Sequence, residues 1–162
     1  MNTLKITIVL ATCLFIGVAA NAQKNLAIET VFNDSGKQDG SILIELGKDV
    51  LGENTQITRY KSLIVTVDSE TEKAIREAIL KDTEGGAMLM ESRRNGKVEK
   101  SYYCLKKDEK DSFYEYILFT AQGDKTTLIY IRGKFSPNRL QSEIENLKDL
   151  FIRINNKRVK LQ

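Results

Sequence analysis

The sequence contains no histidine, and this absence excludes whole classes of chemistry. Without imidazole, neither a Ser-His-Asp triad nor a Cys-His nucleophile pair can be built. Metal sites that depend on imidazole ligands are excluded for the same reason. We therefore expect no catalytic residues of these classes, no metal site and no cofactor.

Cysteine is almost as scarce, because the chain contains only Cys13 and Cys104. We expect Cys13 to be removed with an N-terminal signal, so that Cys104 stands alone and no internal disulfide forms. No base lies beside Cys104 in the stretch SYYCLKK, and an isolated thiol of this kind is usually buried and inert. Packing must then stabilise the fold.

The longest uncharged run of the chain lies at the N-terminus, over residues 6–18, after the single charge of Lys5. About 13 apolar or small residues are too few for a membrane-spanning helix, which needs ~20, but they match the apolar core of a secretory signal. The motif ANA at 20–22 fits a signal peptidase site. We predict cleavage between Ala22 and Gln23, which places the mature protein in the periplasm or outside the cell.

A lipoprotein signal is an alternative, with Cys13 as the lipid acceptor. Thr12 is unfavourable just before an acceptor cysteine, and only residues 6–10 would remain as the apolar core. A membrane anchor is a further alternative, but stop-transfer charges are missing after the short apolar run. Cleavage after Ala22 explains the segment better.

The mature chain, residues 23–162, is long enough for a single domain with a hydrophobic core. Without Lys5, 24 of the 25 basic residues remain against 22 acidic ones, so the domain is nearly neutral. Bases and acids alternate, as in KKDEKD at 106–111, whereas a nucleic-acid groove needs a one-sided basic stripe. We expect no nucleic-acid partner and no transmembrane segment after signal removal.

Hydrophobic periodicity predicts the element order α-β-β-α-β-β-β-β-α, which is an α+β fold with an antiparallel sheet and about three helices. The spacing of Ser69 and Glu72 is typical of a capping box at the start of the second helix. Ser136 and Pro137 open the last helix, whose apolar repeat extends to Phe151 and which ends at 155–156. The other elements are predicted at 26–32 (helix), 41–46 and 62–67 (strands), with 47–60 irregular.

Two short turns predict a four-stranded C-terminal meander. Asn95-Gly96 favours a two-residue type I′ turn, and Gly123-Asp124 a second two-residue turn. Each register places a carboxylate opposite a base, which supports both. The pairs predicted are Glu91–Lys100, Leu89–Tyr102 and Met88–Tyr103 in the first hairpin, and Glu115–Arg132, Ile117–Tyr130 and Phe119–Leu128 in the second.

Several segments together resemble the exported domain-of-unknown-function family 4252, or a close sibling family from Gram-negative bacteria. They are LAIETVF, SGKQDG, SILIELGKDVLG, YKSLIVTVD and TTLIYIRGKFSPNRLQSEI, which cover roughly residues 25–147. The resemblance implies an envelope-exported α+β domain without assigned enzymatic activity. Because members often lie near genes for extracytoplasmic sigma and anti-sigma factors, it also implies envelope signalling. It transfers no functional residues.

Two loop motifs carry little functional weight. GKDVLGEN at 47–54 lacks the spacing of a phosphate-binding P-loop, in which Ser or Thr follows the lysine. NDSGKQDG at 33–40 offers Asp34 and Asp39, but Lys37 occupies a place where a calcium loop needs a ligand. We interpret both as ordinary polar loops.

The carboxylates and tyrosines of the predicted strands are the remaining candidates. Glu91 and Glu115 have basic cross-strand partners, which leaves Glu45, in an apolar strand, as the first carboxylate to inspect for acid-base chemistry. Five tyrosines fall on the meander, and their flat rings with polar tips suit glycan or protein surfaces. Tyr114 and Tyr116 share one face, and with Tyr103 they are the candidate binding residues.

These observations favour a non-enzymatic exported domain that binds or regulates at the cell envelope, with an unknown envelope protein or glycan as its partner. One alternative is a small envelope hydrolase that uses two carboxylates in a pocket. Another is a structural or adhesin-like subunit that assembles through an open strand edge or an exposed apolar patch.

Overall fold

The computed structural model describes residues 25–148. The predicted signal peptide, the apolar repeat at Phe151 and the predicted helix end at 155–156 lie outside the described residues. Within that range the chain forms a six-stranded antiparallel sheet with helices on both faces, which confirms the predicted α+β class.

The elements follow the predicted order, but the expectation that 47–60 is irregular is wrong, since this stretch contains a short extra helix and the first residues of a strand that begins at Ile57. The helices are α1 (Ala27–Ser35), α2 (Lys48–Leu51), α3 (Ser69–Asp82) and α4, which opens with the 3-10 turn Pro137–Arg139 and is helical over 140–148. The strands are β1 (Ile42–Gly47), β2 (Ile57–Thr66), β3 (Ala87–Arg94), β4 (Lys97–Cys104), β5 (Tyr114–Gln122) and β6 (Lys125–Gly133). Among residues 25–148, no helix is both long and apolar enough to cross a membrane.

The sheet has the order β1-β2-β6-β5-β4-β3, so the predicted meander β3 to β6 is confirmed. The last strand of the meander, β6, pairs with β2 of the N-terminal hairpin. β2 and β6 are therefore interior strands, while β1 and β3 form the two edges.

The β5–β6 hairpin has the register that its turn predicts, since Glu115, Ile117 and Phe119 lie opposite Arg132, Tyr130 and Leu128. Gly123 has a φ of +65°, and its turn partner Asp124 has no positive φ. This is the pattern of a type II′ turn, which matches the right-handed twist of the flanking strands.

The β3–β4 hairpin departs from its predicted register in the middle. Asn95 and Gly96 have the positive φ values of a type I′ turn, 51° and 77°, and Met88 lies opposite Tyr103 as predicted. Between these points the register slips by one residue at Glu99 and returns at Leu89, so there are two compensating bulges. The predicted pairs Glu91–Lys100 and Leu89–Tyr102 are therefore wrong; the observed ones are Glu91–Ser101, Ser92–Lys100 and Met90–Tyr102.

Two hydrophobic cores lie on opposite faces of the sheet. On one face, α1 and α3 cover the central strands with a cluster that includes Phe32, Ile75, Leu63, Ile117 and Phe119. On the other face, α2 and α4 cover a second cluster. The second cluster includes Leu51, Ile57, Tyr60, Tyr116, Ile131, Phe135, Leu140 and Leu147.

The N-cap of helix α3 lies one residue earlier than predicted. Asp68 is the N-cap, and its Oδ1 accepts a hydrogen bond of 2.7 Å from the Thr71 amide. Ser69 is the first helical residue instead of the cap, because the carboxylate of Asp68 is the stronger acceptor for the helix N-terminus.

The N-terminus of α1 is capped by a residue distant in sequence. Asp82, the last residue of α3, accepts hydrogen bonds from the amides of Ala27 (2.7 Å) and Ile28 (2.8 Å), one to each carboxylate oxygen. Leu26, the residue at the N-cap position of α1, has no side chain that accepts a hydrogen bond from the helix. Asp82 therefore both satisfies the end of α1 and fixes α1 against α3.

Replacing Asp82 with Ala should lower the free energy of unfolding by about 1–2 kcal/mol, because two helix N–H groups lose their acceptor. Asp82→Asn retains one acceptor oxygen and should lose less. Asp39→Ala, in an exposed turn, is the control and should be neutral. Urea denaturation measures all three variants, and an unchanged midpoint for Asp82→Ala would contradict the capping role.

Helix α4 is anchored by a buried carboxylate. Glu143 is 1% exposed. Its Oε2 accepts hydrogen bonds from the Thr55 hydroxyl (2.9 Å) and the Gln56 amide (3.0 Å), and its Oε1 accepts one from Arg139 (3.0 Å). These bonds join α4 to the chain that enters β2, so one side chain holds α4 on its face of the sheet.

We expect Glu143→Ala to cost about 2–3 kcal/mol of unfolding free energy, since it leaves the buried Thr55 hydroxyl without its acceptor and the Gln56 amide likewise. Glu145→Ala is the matched control, because Glu145 is exposed on the same helix and, among residues 25–148, accepts a hydrogen bond from Gln141 alone. Equal midpoints of chemical denaturation for the two variants would show that the buried contacts do not hold α4.

Candidate functional site

A cleft of about 710 Å³ opens beside the N-terminus of α1. Its walls come from α1, from β2, β5 and β6, and from the loop between β4 and β5. Charged side chains of both signs line it together with one buried phenol ring. The charged lining residues are Glu29, Arg59, Lys106, Lys107, Asp108, Asp111, Glu115 and Arg132, and the phenol is Tyr130.

A β-bulge in β2 brings two arginines together on the floor of this cleft. The register between β2 and β6 shifts between Ile57 and Arg59, with Thr58 as the extra residue. Ile57 therefore packs into the core beneath α4, while Arg59 turns to the opposite face and lies directly across from Arg132. The Thr58 hydroxyl donates a hydrogen bond of 3.0 Å to the Arg132 carbonyl and closes the bulge.

On the β1 side of the cleft, Arg59 and Lys61 share two carboxylates. Lys61 is 6% exposed, and its ammonium lies 2.8 Å from Glu29 and 3.7 Å from Glu45. Arg59 Nη2 lies 2.9 Å from Glu45 and 3.6 Å from Glu29. Burial lowers the pKa of Arg59, but the hydrogen bond with Glu45 and the two negative charges outweigh it and raise that pKa above its usual value.

On the β5 side, Arg132 is held by a second pair of acids. Its Nη2 lies 3.0 Å from Asp111, and its Nε lies 4.0 Å from Glu115. The guanidinium also stacks on the ring of Phe113 at 4.0 Å. The Phe113 amide and the Arg132 guanidinium lower the pKa of Asp111, so this carboxylate stays ionised.

Tyr130 lies on the cleft floor, two residues before Arg132 on β6. Its hydroxyl donates a hydrogen bond of 2.6 Å to Glu115, and Arg59 lies 5.9 Å from the ring centre. Burial, and then the contact with Glu115, raise the pKa of Tyr130 far above its ordinary value. The phenol is therefore a fixed hydrogen-bond donor, not a base.

This arrangement is suited to holding a polar ligand. The carboxylates Glu29, Asp111 and Glu115 each face a guanidinium, and the lowered pKa of Asp111 means that this carboxyl is not a proton donor. Within the described residues, no group of three or more acidic or cysteine side chains has the geometry to hold a metal ion. The cleft offers charge and hydrogen bonding without an evident reactive group.

The three tyrosines predicted to bind a partner lie outside the cleft lining. Tyr116 is 0% exposed; its ring stacks on Phe135 at 5.1 Å, and its hydroxyl donates a 2.6 Å hydrogen bond to the Phe135 carbonyl. Tyr114 shares this face, as predicted, and is half-buried beneath Lys107. Tyr103 packs against the core on the opposite face. Tyr116 therefore serves the core in this conformation, and binding through Tyr114 and Tyr103 stays a prediction.

Other residues singled out from the sequence also have structural partners. Glu45, predicted to be the carboxylate without a base, is paired with Arg59 and Lys61. Glu91 lies 2.6 Å from Arg93 on its own strand instead of opposite Lys100. Cys104 is a buried free thiol, as expected, and burial raises its pKa.

The sequence analysis identified some of the residues that line the cleft but not Arg59. The hairpin register correctly placed Arg132 opposite Glu115, and Tyr130 was recognised as a strand tyrosine. Arg59 was missed because it lay in a stretch expected to be irregular. The basic residues at 59 and 61 flanking a buried tyrosine were the available signal, since residues two apart on a strand share a face.

Fold and cleft together define an α+β domain with an ion-paired, charged cleft on one face of an antiparallel sheet. The chain belongs to the family of unknown function DUF6108, whose family model matches residues 15–144. No curated protein matches the chain significantly. A family without an assigned function was expected, and the specific resemblance to family 4252 stays a prediction.

The buried tyrosines predict a loss of stability at alkaline pH. The pKa values of Tyr60, Tyr116 and Tyr130 are all raised in the folded protein, chiefly by burial. Their neutral forms therefore stabilise the fold fully below the unfolded pKa of about 10, and this contribution is lost as pH rises above it.

Urea denaturation across that range, followed alongside tyrosinate absorbance, should show unfolding free energy falling from about pH 10 upward. Tyr130→Phe should be less stable at neutral pH, because the bond to Glu115 is lost, yet less sensitive to alkaline pH. Ionisation of all six tyrosines at their ordinary pKa before unfolding would contradict this account.

Proposed function

We propose that this protein is a non-enzymatic domain exported to the cell envelope, and that the charged cleft is its ligand-binding site. The N-terminal signal pattern and the resemblance to family 4252 support export. The cleft is within the roughly 300–1,000 Å³ typical of small-molecule sites. A regulatory role in envelope signalling is part of this proposal and rests on the resemblance alone.

The observation that carries the proposal is the pairing of the charges around the cleft. Arg59 and Arg132 are each held by two carboxylates, yet each side chain keeps about a third of its surface exposed, 34% and 35%. Charged groups fixed in place before a ligand arrives lose little entropy on binding it. Such a surface recognises polar ligands by position and charge.

The hydrolase alternative is less well supported by the same geometry. A glycosidase-like mechanism needs one carboxylic acid that holds its proton and a second carboxylate across the scissile bond. Asp111 has a lowered pKa, and Glu29 and Glu115 each face an arginine. The lowered pKa opposes a general-acid role for Asp111, and the ion pairs already engage the other two carboxylates.

The assembly alternative would use the edge strand β3, where Met88, Leu89 and Met90 are exposed. Two features of this edge oppose pairing with another strand. A bulge at Leu89 interrupts the regular ladder, and the other half of the strand carries the charged pair Arg93 and Arg94. We therefore favour ligand binding in the cleft over assembly.

Photocrosslinking inside intact cells that naturally produce the protein tests this proposal. A photoreactive phenylalanine analogue at Phe113, on the cleft wall, should form a defined adduct that mass spectrometry can identify. The same analogue at Lys73, which is exposed on α3 and does not line the cleft, is the matched control and should not form it.

An adduct specific to position 113 would establish the cleft as an occupied site, and its mass would show whether the ligand is a small molecule, a glycan or a protein. Equal labelling at both positions, or none above background at position 113, would overturn the proposal.

A further inference from the structure

We propose that the cleft binds a carboxylate group of its ligand between the side chains of Arg59 and Arg132. This inference rests on the proposed function, since it names the chemistry by which the same cleft would recognise its ligand.

The two arginines form a like-charge pair directly across two hydrogen-bonded strands. Arg59 lies opposite Arg132, and like charges in this arrangement destabilise a sheet. The compensating acids come from β1, from β5, from α1 and from the loop between β4 and β5, so that each arginine is balanced separately. No protein carboxylate of the described residues bridges the pair. A bound anion between the two guanidiniums would relieve their repulsion.

Both guanidiniums also have N–H groups that their closest ion pairs do not use. Arg59 makes both of its ion pairs through Nη2, and Arg132 makes its closest pair through Nη2. Each guanidinium carries five N–H donors in a planar fork that fits the two oxygens of a carboxylate. Among the hydrogen bonds of residues 25–148, Nη1 of neither arginine donates to an acidic side chain, and both residues line the cleft.

The charge balance of the cleft favours a singly charged anion. The acids and bases that line it balance four to four: Glu29, Asp108, Asp111 and Glu115 against Arg59, Lys106, Lys107 and Arg132. A carboxylate with one charge upsets this balance less than a doubly charged phosphate does. The ligand class is therefore a carboxylate-bearing molecule, such as a peptide end or an acidic sugar.

The bulge at Thr58 is an independent sign that this arrangement is specific. Regular pairing from Ile57 onward would place Thr58 opposite Arg132 and send Arg59 to the other face. The extra residue reverses this, and the Thr58 hydroxyl secures it through the Arg132 carbonyl. Bulges of this kind re-aim side chains beside functional sites.

Nuclear magnetic resonance of the arginine Nε–H groups tests the proposal on the purified mature protein. Sodium acetate is the carboxylate probe, sodium chloride at equal ionic strength is the reference, and inorganic phosphate is the competing anion. Acetate should shift the signals of Arg59 and Arg132 saturably. Arg59→Gln and Arg132→Gln should each weaken acetate binding at least about tenfold, the loss expected for one charge-assisted contact.

Two further variants make the result decisive. Arg59→Lys keeps the charge beside Glu45 and Glu29 but lacks the planar fork, so it should fold and still bind acetate more weakly. Arg93→Gln removes an exposed guanidinium on β3 and should leave acetate affinity within about twofold of the original, because it lies far from the cleft lining.

The carboxylate site would be overturned if chloride reproduced the shifts, or if phosphate bound more tightly than acetate. It would also be overturned if Arg59→Gln and Arg132→Gln left the affinity for acetate unchanged. A cleft adduct at position 113 in cells would then still stand by itself, so failure of this inference is distinguishable from failure of the proposed function.

Discussion

The buried ammonium of Lys61 is the constraint on which the cleft side of this structure depends. A charge removed from water costs several kcal/mol unless it is paired. The side chain of Lys61, on the interior strand β2, is only 6% exposed. Glu29 of α1 and Glu45 of β1 supply that pairing, at 2.8 Å and 3.7 Å. Because the same carboxylates also hold Arg59, the position of α1, the edge strand and one wall of the cleft are set by one group of charges.

The meander could be predicted from the sequence wherever a two-residue turn fixed the register and the alternation of side chains carried it along the strands. The β5–β6 hairpin follows from Gly123-Asp124 alone, with every predicted pair observed. A β-bulge makes a register predicted in this way wrong. One extra residue moves each following side chain to the other face, although the hydrophobic pattern of the sequence changes little. The bulges at Leu89 and Glu99 therefore account for the mispaired first hairpin. The bulge at Thr58 determines the face of Arg59, which lay in a stretch expected to be irregular.

The burial of Tyr116, one of the predicted binding residues, could not be foreseen for a related reason. The sequence placed Tyr114 and Tyr116 on one face of the sheet correctly, but it did not show that this face is covered at Tyr116. That depends on α4, which is anchored through Glu143 to Thr55, a residue 88 positions earlier in the chain. Contacts over such separations have no local pattern. Tyr116 is consequently a core residue, and the exposed polar surface lies on the opposite face, in the cleft beside α1.

The central claim is that Arg59 and Arg132 form a repulsive pair that a carboxylate relieves. A double-mutant cycle of Arg59→Gln and Arg132→Gln, measured by chemical denaturation in chloride and in acetate at equal ionic strength, tests it most directly. We predict a destabilising coupling in chloride, on the order of 0.5 kcal/mol, that shrinks or reverses in acetate. A coupling of zero, or one identical in the two salts, would contradict the account.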